Sequence, residues 1–177
     1  NAVEVVELLL DAGDSPDARA GTGRSPVTVA CIEGAQDRAD VVRALAARGA
    51  DLDSCGTDGV TALYAAIHHG KRESIAALIA AGADLNKARD GWTPLILAAT
   101  NTSRLDIGET LLAAGAAPNY VNDLGETALY NAAERGLTEI CHVLLLGGAA
   151  PSLRTHADPP LTAAEAASEA AVAIMPA

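Results

Sequence analysis

Apolar positions along the chain come in paired bursts, and the longer burst of each pair follows helical spacing. Ile75, Leu78 and Ile79 fall about one turn apart in one stretch, as do Ile140, Leu144 and Leu145 in another. Each such stretch stops at a glycine, the residue that accepts the left-handed conformation ending many helices. These glycines are Gly13, Gly49, Gly82, Gly115 and Gly148, with successive separations of 36, 33, 33 and 33 residues. A shorter run lies between them, opened by Ser25, Thr61, Thr93 or Thr127 as a hydroxyl N-cap. Pro26, Ala62, Pro94 or Ala128 follows as the first helical residue. The run ends near Gly34, Gly70 or Gly136, and turns such as Asp58-Gly59, Asp90-Gly91 and Leu124-Gly125 lead to the next cap. The pattern predicts an inner helix, an outer helix and a turn, repeated. One such unit cannot bury its apolar face alone, so copies must stack into a solenoid.

The wording repeats along with the spacing. "ALAARGADLD", "ALIAAGADLN", "TLLAAGAAPN" and "VLLLGGAAPS" share one register, while "RSPVTVA", "VTALYAA", "WTPLILAA" and "ETALYNAA" share another. The stretches "DGWTPLILAA" and "GVTALYAAIHHG…LIAAGADLN" resemble ankyrin repeats, and the resemblance covers essentially the whole chain. It implies an all-α ankyrin solenoid in a single domain, 1–177. Four full repeats, 20–55, 56–88, 89–121 and 122–154, lie between partial ones at 1–19 and 155–177. The family usually carries a histidine after its Thr-Pro-Leu phrase that ties neighbouring repeats by hydrogen bonds. Thr28, Tyr64, Ile96 and Tyr130 stand there instead, so that network is expected to be absent or altered. The first full repeat has extra residues in "AQDRAD", expected to bulge from the turn between its helices, and the third has one in "TNTSRLD".

Composition fits close helix packing. Half the residues are hydrophobic, yet aromatics make up only 2%, and alanine lets helix backbones approach. The net charge of −11 argues against nucleic acid or an anionic membrane as a partner, and favours a protein partner with a basic segment. Cys31, Cys55 and Cys141 show no metal-ligand spacing and read as reduced thiols of an intracellular, cytoplasmic protein. No apolar run is long enough to cross a bilayer. The chain begins with Asn1 and reads as processed, or as part of a longer chain or larger complex.

Catalytic constellations are not expected, and no cofactor is implied. His68 and His69 are adjacent, so on a helix they point about 100° apart and do not converge on one metal. Cys141 occupies a place for a packed small residue, and no nucleophile elbow, P-loop or H-E-x-x-H helix occurs. The resemblance instead implies protein recognition by turn tips and the exposed side of the inner helices, which together form a concave face. Carried over repeat by repeat, that face holds Thr22, Arg24, Ile32 and Glu33. Thr57, Asp58, Val60, His68 and His69 follow, then Arg89, Asp90, Trp92, Thr100 and Asn101. Asp123, Leu124, Glu126, Glu134 and Arg135 complete it. Trp92, the sole tryptophan, sits at a turn with an arginine close by in sequence, a pairing that binding hot spots favour. Asn86 and Asn119 resemble acceptors for an oxygen-dependent asparaginyl hydroxylase, with a hydrogen-bonding turn role favoured over it. Two other readings stand beside recognition: a structural subunit of an assembly, and the recognition arm of a multidomain enzyme or ligase.

Overall fold

A computed structural model describes residues 2–19, 21, 23–34, 36–153 and 162–165. Thr22 and most of the expected partial repeat at 155–177 lie outside them. By its contacts the chain divides into two compact units, Asn1–Arg89 and Asp90–Ala177. Among the described residues the architecture is helical, with no extended strand.

The first unit contains α1 (Ala2–Asp11), α2 (Pro26–Ile32), α3 (Ala39–Ala47), α4 (Ala62–His68) and α5 (Arg72–Ala80). Inner helices α2 and α4 pack side by side, outer helices α1, α3 and α5 form a second row, and each full repeat closes through α2 on α3 or α4 on α5. The second unit repeats the scheme with α6 (Pro94–Ala98), α7 (Leu105–Ala113), α8 (Ala128–Glu134) and α9 (Thr138–Leu146). Val27, Val42, Leu63, Ile67 and Leu78 fill the first core, and Leu95, Ile96, Leu111 and Leu144 the second. The outer-helix spacing is narrower than expected in α9. Among the described residues Ile140 and Leu144 are buried, but Leu145 is 46% exposed.

Local chemistry accounts for the helix ends. Thr61, Thr93 and Thr127 accept the amide hydrogens of Tyr64, Ile96 and Tyr130 at 3.1–3.2 Å, which satisfies one orphan donor per helix. Ser25 holds the same position but makes no such bond; its hydroxyl pairs with that of Thr28 at 3.1 Å instead. The outer helices close in paired hydrogen bonds around a glycine. In α5, Gly82 donates to Ile79 and Ala83 to Leu78, both at 3.0 Å, while Gly82 takes a φ of 87°.

The insertion in the first repeat does more than bulge. Asp37 accepts the Glu73 amide at 2.8 Å and the Ser74 amide at 3.1 Å, and also bonds the Ser74 hydroxyl. It therefore caps α5 from the preceding repeat, where α5's own N-cap residue, Lys71, offers no acceptor. The Lys71 ammonium reaches back to the carbonyls of Gly34 and Gln36 at 2.7 and 2.9 Å. In the third repeat the extra residue is absorbed by a 3-10 turn, Thr102–Arg104, which Asn101 caps through the Ser103 amide.

A second device joins repeats at the exit loops. Asp17 accepts the Asp51 amide, Asp53 accepts that of Asp84, and Asn119 accepts that of Ala150, at 2.7–2.9 Å. Asn119 also donates to the Gly148 carbonyl at 3.1 Å, so both ends of its amide serve the loop.

Candidate recognition surface

In the first unit, a short loop and an inner helix meet around Asp58. Its carboxylate receives Arg24 Nε at 3.1 Å and Arg24 Nη2 at 2.5 Å, from the preceding repeat. Its carbonyl receives Arg89 Nε at 3.0 Å, from the loop that follows α5. Its second carboxylate oxygen accepts the Val60 amide, which fixes the turn. The Arg24 hydrogen bond, above all, holds the Asp58 carboxyl below its ordinary value. Arg89 also lies over the ring of Tyr64, 5.3 Å from its centroid, so a cation–π contact orients the guanidinium plane.

These groups line a cavity of about 190 Å³ together with His68, His69, Val60, Ile32 and Ala65. The volume is below the range of about 300–1,000 Å³ usual for small-molecule sites. The two imidazoles stand edge to face, 5.0 Å between centroids and 72° apart. Partial burial pushes His69 below its ordinary value, and the positive charges of His68 and Lys71 add to that. Among the described residues, no cluster of three or more His, Cys, Asp or Glu could hold a metal. Burial pushes the Cys31 thiol up to about 12, with Asp37 adding to the rise, so it stays protonated at neutral pH.

Of the residues expected on the binding face, the structure thus gathers Arg24, Ile32, Asp58, Val60, His68, His69 and Arg89 around one cavity. Val60 is only 7% exposed and contributes wall rather than a protruding contact. Glu33 lies at the end of α2, exposed and outside the lining. Tyr64 belongs to the site although the sequence marked it only as a missing histidine. An aromatic at the third helical position, with an arginine in the loop after the next helix, was the available signal.

The remaining candidates belong to the second unit. Asp90 and Gly91 both take positive φ, 48° and 79°, which defines the tight turn that an Asp-Gly pair favours. Trp92 follows it, half-buried. Leu124 is 63% exposed, and Asn101 and Arg135 are exposed at the ends of their helices. Glu126 turns toward its own repeat. It accepts the Asn122 side-chain amide at 3.0 Å, while its backbone amide donates to Asn122 Oδ1 at 2.8 Å.

Comparison with known proteins agrees with this architecture. A family model described as ankyrin repeats in three copies matches residues 1–89, 35–122 and 75–155. No curated protein matches the chain significantly. The ankyrin-repeat domain of Bcl-3, described as a unique member of the IkappaB protein family, is 32% identical with a TM-score of 0.84. That match covers 93% of this chain and 72% of that one. An ankyrin-repeat domain from Acinetobacter baumannii AYE is 27% identical with a TM-score of 0.85, covering 96% of this chain and 87% of that one. Ankyrin repeats are in general protein–protein interaction modules, typically without catalysis of their own. With three matched copies spanning most of its length, this chain belongs to the ankyrin-repeat family.

Proposed function

We propose that the protein is a non-catalytic recognition module that grips a partner protein, with the first-unit cavity as its central contact. The observation that carries this reading is the cavity itself, where Arg24, Asp58, His68, His69 and Arg89 converge on a rigid scaffold. Hydrogen bonds and ring stacking hold Asp58 and Arg89 in place before binding, which lowers the entropic cost of association. In the second unit, Trp92 and Leu124 offer apolar contacts, and exposed acidic groups at Asp123 and Glu134 suit a basic segment of the partner. The setting proposed is intracellular.

The test starts with affinity capture, followed by measurement of the affinity of the recombinant captured partner. Arg89→Ala and His68→Ala should each weaken it about tenfold, and Trp92→Ala by about 1–2 kcal/mol, with helical circular dichroism unchanged. Wild-type affinity in all three variants would sink the reading.

One observation favours a second reading, a structural subunit within an assembly. Helix α1 exposes Val5 at 56%, Leu8 at 68% and Leu9 at 50%, a run of apolar surface that some covering protein would protect. Size-exclusion chromatography separates the two: a monomer that stays dispersed at high concentration argues for the recognition module alone.

A further inference from the structure

The two units fill one repeat position differently. Arg24 immediately precedes the N-cap position of α2, and its guanidinium reaches the carboxylate of Asp58 in the next repeat's turn. Trp92 holds the same place before α6, and the turn of the next repeat again carries a carboxylate, that of Asp123. The backbones correspond as well. A Cβ on Gly23, before Arg24, would stand 3.2 Å from Thr57, the neighbour of Asp58. A Cβ on Gly91, before Trp92, would stand 3.3 Å from the Asp123 amide nitrogen and 3.5 Å from Asp123 Oδ2. The Asp123 carboxylate thus lies against the turn that carries Trp92, where tryptophan replaces the guanidinium that answers Asp58.

Asp123 is exposed, and among the described residues its carboxylate has no hydrogen bond and no ion pair. Trp92 is half-buried; among the same residues no cation or ring stands on its indole, and nothing accepts its N–H. Since no buried side-chain nitrogen there lacks a partner, that N–H opens to solvent. We propose that the Trp92–Asp123 tip takes an arginine side chain of the partner, its guanidinium on the Asp123 carboxylate and its plane against the indole. The inference rests on the recognition reading above and names the side chain that the second unit receives. The partner then supplies at this tip the group that Arg24 supplies within the first unit. Arginine fits better than lysine, because its planar fork meets a carboxylate at two points and stacks on aromatic faces. Tryptophan is the aromatic that holds a cation best. The net charge of −11 draws a cationic segment in, so affinity should fall as salt rises.

Trp92 is the sole tryptophan, so its fluorescence emission reports on this tip alone. The experiment is peptide display against the folded protein, keeping peptides whose binding changes that emission. Those peptides should carry arginine at one position, and replacing it by citrulline, neutral and similar in shape, should cost about tenfold in affinity. Against Asp123→Asn the same replacement should cost about threefold or less, the share that the indole contact leaves. Asp123→Asn should keep the wild-type midpoint in urea, since the carboxylate bonds nothing in the fold. A clear fall in midpoint would make Asp123 structural and overturn the assignment. Trp92→Leu, followed by calorimetry, should weaken the arginine peptide several-fold and the citrulline peptide less. Peptides that change the emission without an arginine preference, or an equal citrulline cost in wild type and Asp123→Asn, overturn the inference. So does the failure of every peptide to change the emission. Recognition through the first-unit cavity is judged separately, by Arg89→Ala and His68→Ala, so either reading can fail alone.

Discussion

In the first unit, side chains reach a whole repeat along the chain: Asp37 to Ser74, Lys71 to Gly34, Arg24 to Asp58. In the second, Thr100, Asn101 and Asn131 bond to Leu97, Ser103 and Thr127, within their own repeats. Asn119 makes a long reach in that unit too, to Ala150. Both units stack the same helices, so the difference is not one of fold. It lies in where each repeat finds partners for the backbone groups its helices leave unsatisfied. A bond made across repeats exists only while the stack exists, so it couples the stability of neighbours. A bond made within a repeat adds little to that coupling.

Asp37 offers the largest test. Asp37→Ala should cost about 2–3 kcal/mol in urea unfolding, since it strands the buried Ser74 hydroxyl and two amides at the start of α5. Asp37→Asn keeps acceptor capacity and should recover part of this. A loss in Asp37→Ala below about 0.5 kcal/mol would mean that the insertion is passive, and the contrast between the units would collapse. Asn119→Ala comes next, at about 1 kcal/mol, because the bonds it breaks are exposed and water can replace them. Hydrogen exchange should then quicken at the Ala150 amide, which accounts for that loss locally. Asn101→Ala, which removes only the cap of a 3-10 turn, should cost no more than about 0.5 kcal/mol. A cost equal to that of Asn119→Ala would blur the distinction between bonds within and across repeats.

What the sequence made legible was what is local. Thr61, Thr93 and Thr127 cap as expected because the N-cap bond spans three residues, and Gly49, Gly82, Gly115 and Gly148 end helices for reasons confined to one turn. Ser25 escaped the rule because Thr28 supplied a hydroxyl within reach. Asp37 and Lys71 stayed hidden because their partners are 35–37 residues distant and adjacent only in the stack. The binding-face residues were assigned by repeat position. That assignment named Arg24, Asp58 and His68, which line one cavity, but repeat position alone did not point to Tyr64 as the residue that orients Arg89. Glu126 shows the complement: its repeat position suggested an outward contact, while Asn122 at the turn draws its side chain into the repeat.

The smallest effect bears on whether a long reach always stabilises. The Arg24–Asp58 pair spans 34 residues like the Asp37 clamp, but both its side chains are about one-third exposed. Solvent screening then limits it to a few tenths of a kcal/mol. Because the Asp58 carboxyl sits below its ordinary value of 3.8, its contribution is fully present above that pH and fades as pH falls through the lower folded value. Wild type and Asp58→Asn should therefore differ slightly at neutral pH and converge under acid, where both side chains are uncharged. If the gap at neutral pH instead matched that of Asp37→Ala, reach alone would govern stability. A small gap, closing in acid, means that burial of the acceptor, not the length of the reach, decides what a bond across repeats contributes.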